Sequence, residues 1–142
     1  MTFSKDDKRQ IIMDYYLNPR FKKENIDKTN SHYLHSNNCV DEIWINLKIE
    51  DNILKNAEFE AIGCAVFLSS TDIFLEIAKN KTIDEIKLIV ENYDNLIHKK
   101  SENIKKNILE KLLVFEDVKT HLNRLECANM ISKIVKIAID KG

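Results

Sequence analysis

Glycine and proline are nearly absent from this 142-residue sequence, which contains two glycines and one proline. The chain therefore has neither the G-x-G-x-x-G pattern of dinucleotide-binding folds nor the G-x-x-x-x-G-K-[ST] phosphate loop, because both need closely spaced glycines. Long hydrophobic runs are also missing, and the longest nearly unbroken one, over 61–68, is too short to cross a bilayer. These absences argue against a glycine-built nucleotide site and against a membrane span.

The sequence also lacks an excess of either charge, since 22 basic residues balance 23 acidic ones and give a formal net charge of −1. Without a basic stripe we expect no nucleic-acid partner. The segment 1–9 carries both charge signs and is unlike a signal or transit peptide, so we expect a cytoplasmic protein. The length and a hydrophobic fraction of 44% predict a single domain over 1–142.

The hydrophobic pattern predicts an α+β fold, with an N-terminal helix, a small antiparallel sheet and then C-terminal helices packed on it. Ser4, followed by acidic residues, predicts the start of the first helix, and Asn18-Pro19 predicts its end. The other elements follow from the spacing of apolar residues. They are strands over 32–35, 43–49 and 53–61, and helices after Gly63, after the Thr82 capping box, over 104–113 and from about Glu126.

The three cysteines fall at junctions between these predicted elements. Cys39 lies in the loop before the central strand, Cys64 lies where a helix begins, and Cys127 lies at or near the start of the last helix. A thiol near a helix N-terminus has a lowered pKa, which makes it a better ligand and nucleophile. An odd number of cysteines without a secretory signal argues against a disulfide framework and for metal binding or thiol chemistry.

Asp41 follows Cys39 by two residues, so an extended backbone would point both side chains to the same side. Three thiolates and one carboxylate could complete a tetrahedral zinc site or hold an iron–sulfur cluster. The alternative is that each cysteine is a small buried hydrophobic residue and that Asp41 caps a turn. His32 and His35 could also serve a metal, although a strand of alternating polar residues explains them equally well.

Five segments along the chain carry a resemblance to a known family. They are RQIIMDYYLNPR over 9–20, CVD over 39–41, AEFE over 57–60, GC at 63–64 and RLECA over 124–128. In this order they resemble the U-type iron–sulfur cluster assembly proteins, which include IscU, SufU and the N-terminal domain of NifU. The 63 positions from Cys64 to Cys127 are similar to the longer spacing of the SufU-type branch.

The resemblance implies a SufE/NifU-like fold and, for the SufU-type branch, a zinc ion held by three cysteines and one aspartate. Carried onto this chain, those ligands are Cys39, Asp41, Cys64 and Cys127. Iron or a transient [2Fe-2S] cluster on the three cysteines is the alternative cofactor. The resemblance also implies a PLP-dependent cysteine desulfurase as the sulfur donor, with downstream assembly proteins or apoproteins as recipients.

Three positions depart from the pattern of that family. Val40 stands where glycine is usual, Asn38 where proline is common, and Glu126 where histidine or lysine is usual. We expect the carboxylate of Glu126 to raise the pKa of the neighbouring Cys127 thiol, because a nearby negative charge disfavours the thiolate.

The resemblance therefore implies a sulfur acceptor and carrier that takes persulfide sulfur from the desulfurase. We expect Cys39 to be the acceptor, since it lies on a loop rather than against a helix. A scaffold on which a [2Fe-2S] cluster forms before transfer to an apoprotein would use the same ligands. A purely structural zinc domain is the third alternative, and Asp41 argues against it because closed sites normally use cysteine and histidine throughout.

Overall fold

The computed structural model describes residues 3–37, 40–100, 103–120 and 122–141, which form helices around a small sheet. The α-helices are α1 (Lys5–Leu17), α2 (Ala65–Ala78), α3 (Ile83–His98) and α4 (Leu122–Lys141), and the strands are β1 (His32–His35), β2 (Glu42–Glu50) and β3 (Ile53–Ile62). Three short 3₁₀ helices, Lys106–Ile108, Glu110–Phe115 and Val118–Thr120, lie between α3 and α4. This order of helix, sheet and helices confirms the predicted α+β fold.

The sheet has the order β1–β2–β3, and both strand pairs are antiparallel. Alternation along β2 and β3 buries one face, on which Ile43 lies opposite Ala61 and Ile45 lies opposite Phe59. Asp51-Asn52 closes the turn between these strands, and both residues have positive φ, as a tight two-residue hairpin turn requires. The hairpin predicted from sequence is therefore confirmed.

α2 lies at the centre of the molecule and is buried along almost its whole length. It packs against α1 on one side and α4 on another, and it contacts the end of β3. The hydroxyls of Ser69, Ser70 and Thr71 point into this apolar interior and donate hydrogen bonds to carbonyls of the preceding turn. Such bonds satisfy buried polar groups, so α2 can be enclosed without unpaired hydroxyls.

The loop after α1 is attached to α2 through the buried side chain of Asp72. The Asp72 carboxylate accepts hydrogen bonds from the backbone N–H of Arg20 at 2.9 Å and of Phe21 at 2.9 Å. Burial raises the pKa of Asp72, and the two N–H donors oppose that rise. The end of α1 at Leu17 agrees with the stop predicted from Asn18-Pro19.

Two predicted helices differ from the observed ones. The stretch predicted as a helix over 104–113 forms 3₁₀ helices instead, because Glu110 has a φ of 48°, which an α-helix interior does not allow. α4 begins at Leu122 rather than near Glu126, which places Cys127 beyond its first turn. Within the described ranges, no helix combines the length and the apolar character needed to span a membrane.

Candidate metal centre

Asp41, Cys64 and Cys127 come together although they lie on three different parts of the fold. One carboxylate oxygen and two Sγ atoms lie within 4.8 Å of one another. Asp41 directly precedes β2, Cys64 directly precedes α2, and Cys127 lies in the second turn of α4. In the described part of the chain, no other group of three or more His, Cys, Asp or Glu side chains is arranged to hold a metal ion.

The carboxylate of Asp41 is 1% exposed, and only one of its oxygens accepts a hydrogen bond from the described residues. Oδ1 accepts a hydrogen bond from the backbone N–H of Cys64 at 3.1 Å. Oδ2 is buried and finds no hydrogen-bond donor among the described residues. Because a buried carboxylate oxygen without a partner is destabilising, a cation at this point would satisfy it. The half-satisfied carboxylate therefore fits the predicted role of Asp41 as a ligand.

Gly63 provides the space in which the Asp41 carboxylate lies. A Cβ atom at position 63 would collide with Oδ1 of Asp41 and with the ring of Phe67. The φ of Gly63 is not in the left-handed region, so the glycine is required for space and not for its backbone conformation. Sequence analysis missed this role, although the scarcity of glycine in the chain was a usable signal.

Cys64 is the N-cap residue of α2, which confirms the prediction that a helix begins there. Its Sγ accepts a hydrogen bond from the backbone N–H of Phe67 at 3.5 Å. The sulfur thus lies at the positive end of the helix dipole, where a negative ligand is stabilised. The residue is exposed, so a partner or reagent can reach it from solvent.

Cys127 differs from Cys64 because it is 5% exposed and lies inside a helix. Burial raises the pKa of its thiol, and the neighbouring Asp41 and Cys64 raise it further. The prediction that a helix N-terminus would lower this pKa is wrong, since Cys127 lies beyond the first turn of α4. A bound metal would reverse the effect, because a coordinating thiol is deprotonated.

The pKa of Cys127 is raised as predicted, but not mainly by the adjacent Glu126. Its carboxylate pairs with the ammonium group of Lys133 at 3.2 Å. The acidic side chain that raises the pKa of Cys127 is Asp41, which lies far away in sequence and close in space.

Two other predictions about the site have different outcomes. Cys39 lies outside the described residues, so its role as a fourth ligand stays a prediction. His32 and His35 lie on β1 and do not belong to the described ligand group, which contains only Asp41 and the two cysteines.

The chain as a whole is similar in sequence to known proteins. Residues 7–141 match the family model described as NifU-like N terminal domain. The chain is 28% identical over 132 residues to the iron-sulfur cluster assembly scaffold protein IscU of Thermotoga maritima, covering 93% of this chain and 92% of that protein. It is 29% identical over 138 residues to the zinc-dependent sulfurtransferase SufU of Bacillus subtilis, covering 94% and 87%.

A similar fold is also found in a solved structure. The crystal structure from Fervidobacterium islandicum, described as an iron-sulfur cluster assembly scaffold protein for the SUF system, superposes with a TM-score of 0.80 at 27% sequence identity. The match covers 92% of this chain and 94% of that chain. The fold therefore agrees with the sequence-level family match over nearly the same extent.

Proposed function

Since the chain belongs to the family of NifU-like N-terminal domains, we propose that it serves iron–sulfur cluster assembly as a zinc-binding sulfur acceptor of the SufU type. Its ligands would be Cys39, Asp41, Cys64 and Cys127. The observation that carries the proposal is the convergence of three of these side chains within 4.8 Å. The sulfur donor would be a PLP-dependent cysteine desulfurase, and the recipients would be downstream assembly proteins or apoproteins.

The donor set suits zinc, which prefers four ligands of sulfur, nitrogen or oxygen in a tetrahedron. The orphaned Oδ2 of Asp41 and the space left by Gly63 support a cation at this point. Zinc bound here would keep the cysteine ligands as thiolates at neutral pH. A carboxylate is the weakest of these ligands for a borderline-soft ion, which favours an exchangeable site over a closed structural one.

Exposure and local structure support Cys39 as the acceptor by disfavouring the other two cysteines. Cys127 is buried, so a donor persulfide could reach it only after α4 moved. Cys64 is exposed, but moving its sulfur would remove the N-cap of α2. Cys39 falls between β1 and β2 in the sequence, so neither of the elements that flank it is a helix.

The transfer would be a thiol–disulfide type exchange that needs no added oxidant. The Cys39 thiolate attacks the terminal sulfur of the persulfide on the donor cysteine. The new sulfur–sulfur bond forms on Cys39, the old one breaks, and the donor cysteine leaves as a thiolate. The acceptor then carries a persulfide, which later gives up the same sulfur to a recipient.

Exposed apolar side chains beside the candidate site support a protein partner. Val40 is 74% exposed and directly precedes Asp41, while Ile62 is 63% exposed and directly precedes Gly63-Cys64. Each of these exposed apolar side chains thus adjoins a proposed ligand in sequence. A desulfurase that docks on them would bring its persulfide next to the cysteines.

A scaffold of the IscU type, which holds a [2Fe-2S] cluster and passes it on, is the second candidate. The observation in its favour is that relatives named IscU and SufU match this chain at nearly the same identity, 28% and 29%. Both functions use the same cysteines, so sulfur transfer has to be measured directly to separate them.

The test is desulfurase turnover with the wild-type chain and with each Cys→Ser variant, followed by intact-mass detection of added sulfur. We expect one zinc per chain in aerobic preparations, stimulation of turnover, and loss of the added sulfur in Cys39→Ser. Metal content is measured on every variant, because a serine at any of the three positions can weaken zinc binding. Full stimulation and sulfur gain by zinc-loaded Cys39→Ser would place the acceptor elsewhere. A wild-type chain that gains no sulfur but assembles a cluster anaerobically would favour the scaffold.

A further inference from the structure

α3 and α4 are joined by polar contacts, the first of which lies next to Cys127 in sequence. The hydroxyl of Tyr93 donates a hydrogen bond to the backbone carbonyl of Ala128 at 2.8 Å. The next residue, Asp94, accepts from the Ser132 hydroxyl at 2.6 Å and pairs with Lys136 at 2.5 Å. The α4 partners are spaced four residues apart, so they form one stripe along the helix facing α3.

The Tyr93 hydroxyl lies where it can influence the position of Cys127. Ala128 directly follows Cys127, so the bond fixes the backbone that carries the sulfur ligand. Tyr93 is 0% exposed, and burial raises the pKa of its phenol, which therefore keeps its proton and remains a donor. The nearby Ser70 hydroxyl of α2 opposes part of that rise in the pKa. One buried hydroxyl thus joins α3 to the backbone of α4 beside a cysteine ligand.

Apolar packing alone would not fix the position of Cys127 relative to Asp41 and Cys64. Burial of apolar surface is non-directional, so it favours contact between α2 and α4 but specifies the axial position of α4 weakly. A helix rises about 1.5 Å and turns about 100° per residue, so a slip of one residue would turn Sγ away from the other ligands. A directional hydrogen bond beside Cys127 removes that freedom.

We propose that Tyr93 is a positioning residue for the metal centre, which orients Cys127 toward Asp41 and Cys64 through its bond to the Ala128 carbonyl. The Asp94–Ser132 contact supports it by fixing the next turn of α4. The inference rests on the metal-binding part of the proposed function and is independent of sulfur transfer. Groups that orient metal ligands affect both affinity and coordination geometry.

The test compares Tyr93→Phe with Tyr15→Phe, a matched control. Tyr15 is also a buried tyrosine, 1% exposed, whose hydroxyl donates to Glu76 at 2.7 Å and accepts from Lys111 at 2.9 Å between other elements. Each variant removes one buried hydroxyl and keeps the ring. Zinc affinity is measured by chelator competition, and the coordination geometry is read from the visible spectrum of the protein loaded with cobalt(II).

Both variants should lower the unfolding midpoint of the metal-free protein. Only Tyr93→Phe should weaken zinc binding, by about 10-fold, and change the energy or intensity of the cobalt ligand-field bands. If Tyr93→Phe keeps the wild-type affinity and spectrum, the hydroxyl is only structural and the inference is overturned. A wild-type chain that binds neither ion overturns the metal-binding proposal as well, so the two failures are distinguishable.

Ser132→Ala tests the positioning role of the α3–α4 contacts if Tyr93→Phe does not fold. This variant removes the hydroxyl that contacts Asp94 and leaves the Tyr93–Ala128 bond in place. We expect a smaller change of the cobalt spectrum in the same direction. A wild-type spectrum for folded Ser132→Ala would then overturn the positioning role of the α3–α4 contacts.

Discussion

At the scale of single residues, Asp41 is the proposed ligand that can be removed with little damage to the fold. Asp41→Ala should exchange zinc to a chelator at least about 10-fold faster than wild type, because even groups behind the ligands affect affinity by that much. The stability of the metal-free protein should change little. Loss of the bond to Cys64 N–H is offset by removal of a buried, half-satisfied carboxylate.

The adjacent acidic residue provides the control for Asp41→Ala. Glu42 accepts a hydrogen bond from the Tyr33 hydroxyl at 2.9 Å in an exposed contact and lies outside the ligand group. Glu42→Ala should therefore exchange zinc at the wild-type rate. Equal exchange rates for wild type and Asp41→Ala would show that Asp41 is not a ligand.

Gly63 is the second residue whose replacement has a specific consequence. In Gly63→Ala the added methyl group collides with the Asp41 carboxylate and the Phe67 ring, so the stability of the metal-free protein should fall by about 1–3 kcal/mol. Zinc affinity should fall as well, since the carboxylate is displaced. Urea unfolding and chelator competition measure the two effects.

A double-mutant cycle with Asp41→Ala identifies which collision matters. If the clash with the carboxylate dominates, Gly63→Ala should be less destabilising when Asp41 is already alanine. An unchanged cost in the two backgrounds would assign the strain to Phe67 and not to the ligand.

At the scale of elements, buried hydrogen bonds rather than surface charge attach the loop after α1 to α2. Asp72→Ala should lower the free energy of unfolding by about 2–3 kcal/mol, because bonds to a charged group are lost and two backbone donors are left unsatisfied. Urea denaturation followed by circular dichroism measures the change.

Asp14→Ala is the matched comparison for Asp72→Ala, since both carboxylates contact Arg20. The Asp14 side chain is 48% exposed and forms a surface ion pair with the Arg20 guanidinium at 3.0 Å. Its removal should cost much less than the removal of Asp72, because ion pairs between solvent-exposed groups contribute little to stability. A cost for Asp72→Ala no larger than for Asp14→Ala would contradict the role given to the buried bonds.

Local signals in the sequence predicted most elements. Ser4 and Thr82 open helices in both the prediction and the structure, and the alternation in β2 and β3 gives the observed hairpin. The segment 104–113 was predicted as an α-helix because its apolar spacing suits either helix type. In the structure its leucines are buried and Glu110 has a left-handed backbone conformation, and the segment forms 3₁₀ turns.

Local sequence patterns also predicted only part of the candidate site. The helix start at Cys64 follows from local pattern, and the candidate ligand set was named from a family resemblance. The burial of Cys127 and the unpaired oxygen of Asp41 depend on contacts between segments far apart in sequence. No local pattern reports such contacts, which is why sequence reasoning named Glu126, and not Asp41, as the acidic group that raises the pKa of Cys127.

At the scale of the whole molecule, a metal on the described ligands would link the sheet to α2 and α4. Adding zinc should raise the unfolding midpoint, since a ligand that binds only the folded state stabilises it by about 4 kcal/mol at 1,000 times its dissociation constant. Thermal unfolding at several free-zinc concentrations measures this. Asp41→Ala should need more zinc for the same shift, and a wild-type midpoint independent of zinc would contradict metal binding.

The positions of the proposed ligands along the chain also imply an order in which they come together during folding. Asp41 and Cys64 are 23 residues apart and are brought together by the β2–β3 hairpin, a contact of short range. Cys127 joins them only when α4 packs on α2, and contacts of longer range form more slowly. A chain whose last helix has not docked therefore lacks one thiolate of the proposed site. Tight metal binding at the proposed site would therefore distinguish completely folded molecules from those in which α4 has not yet packed.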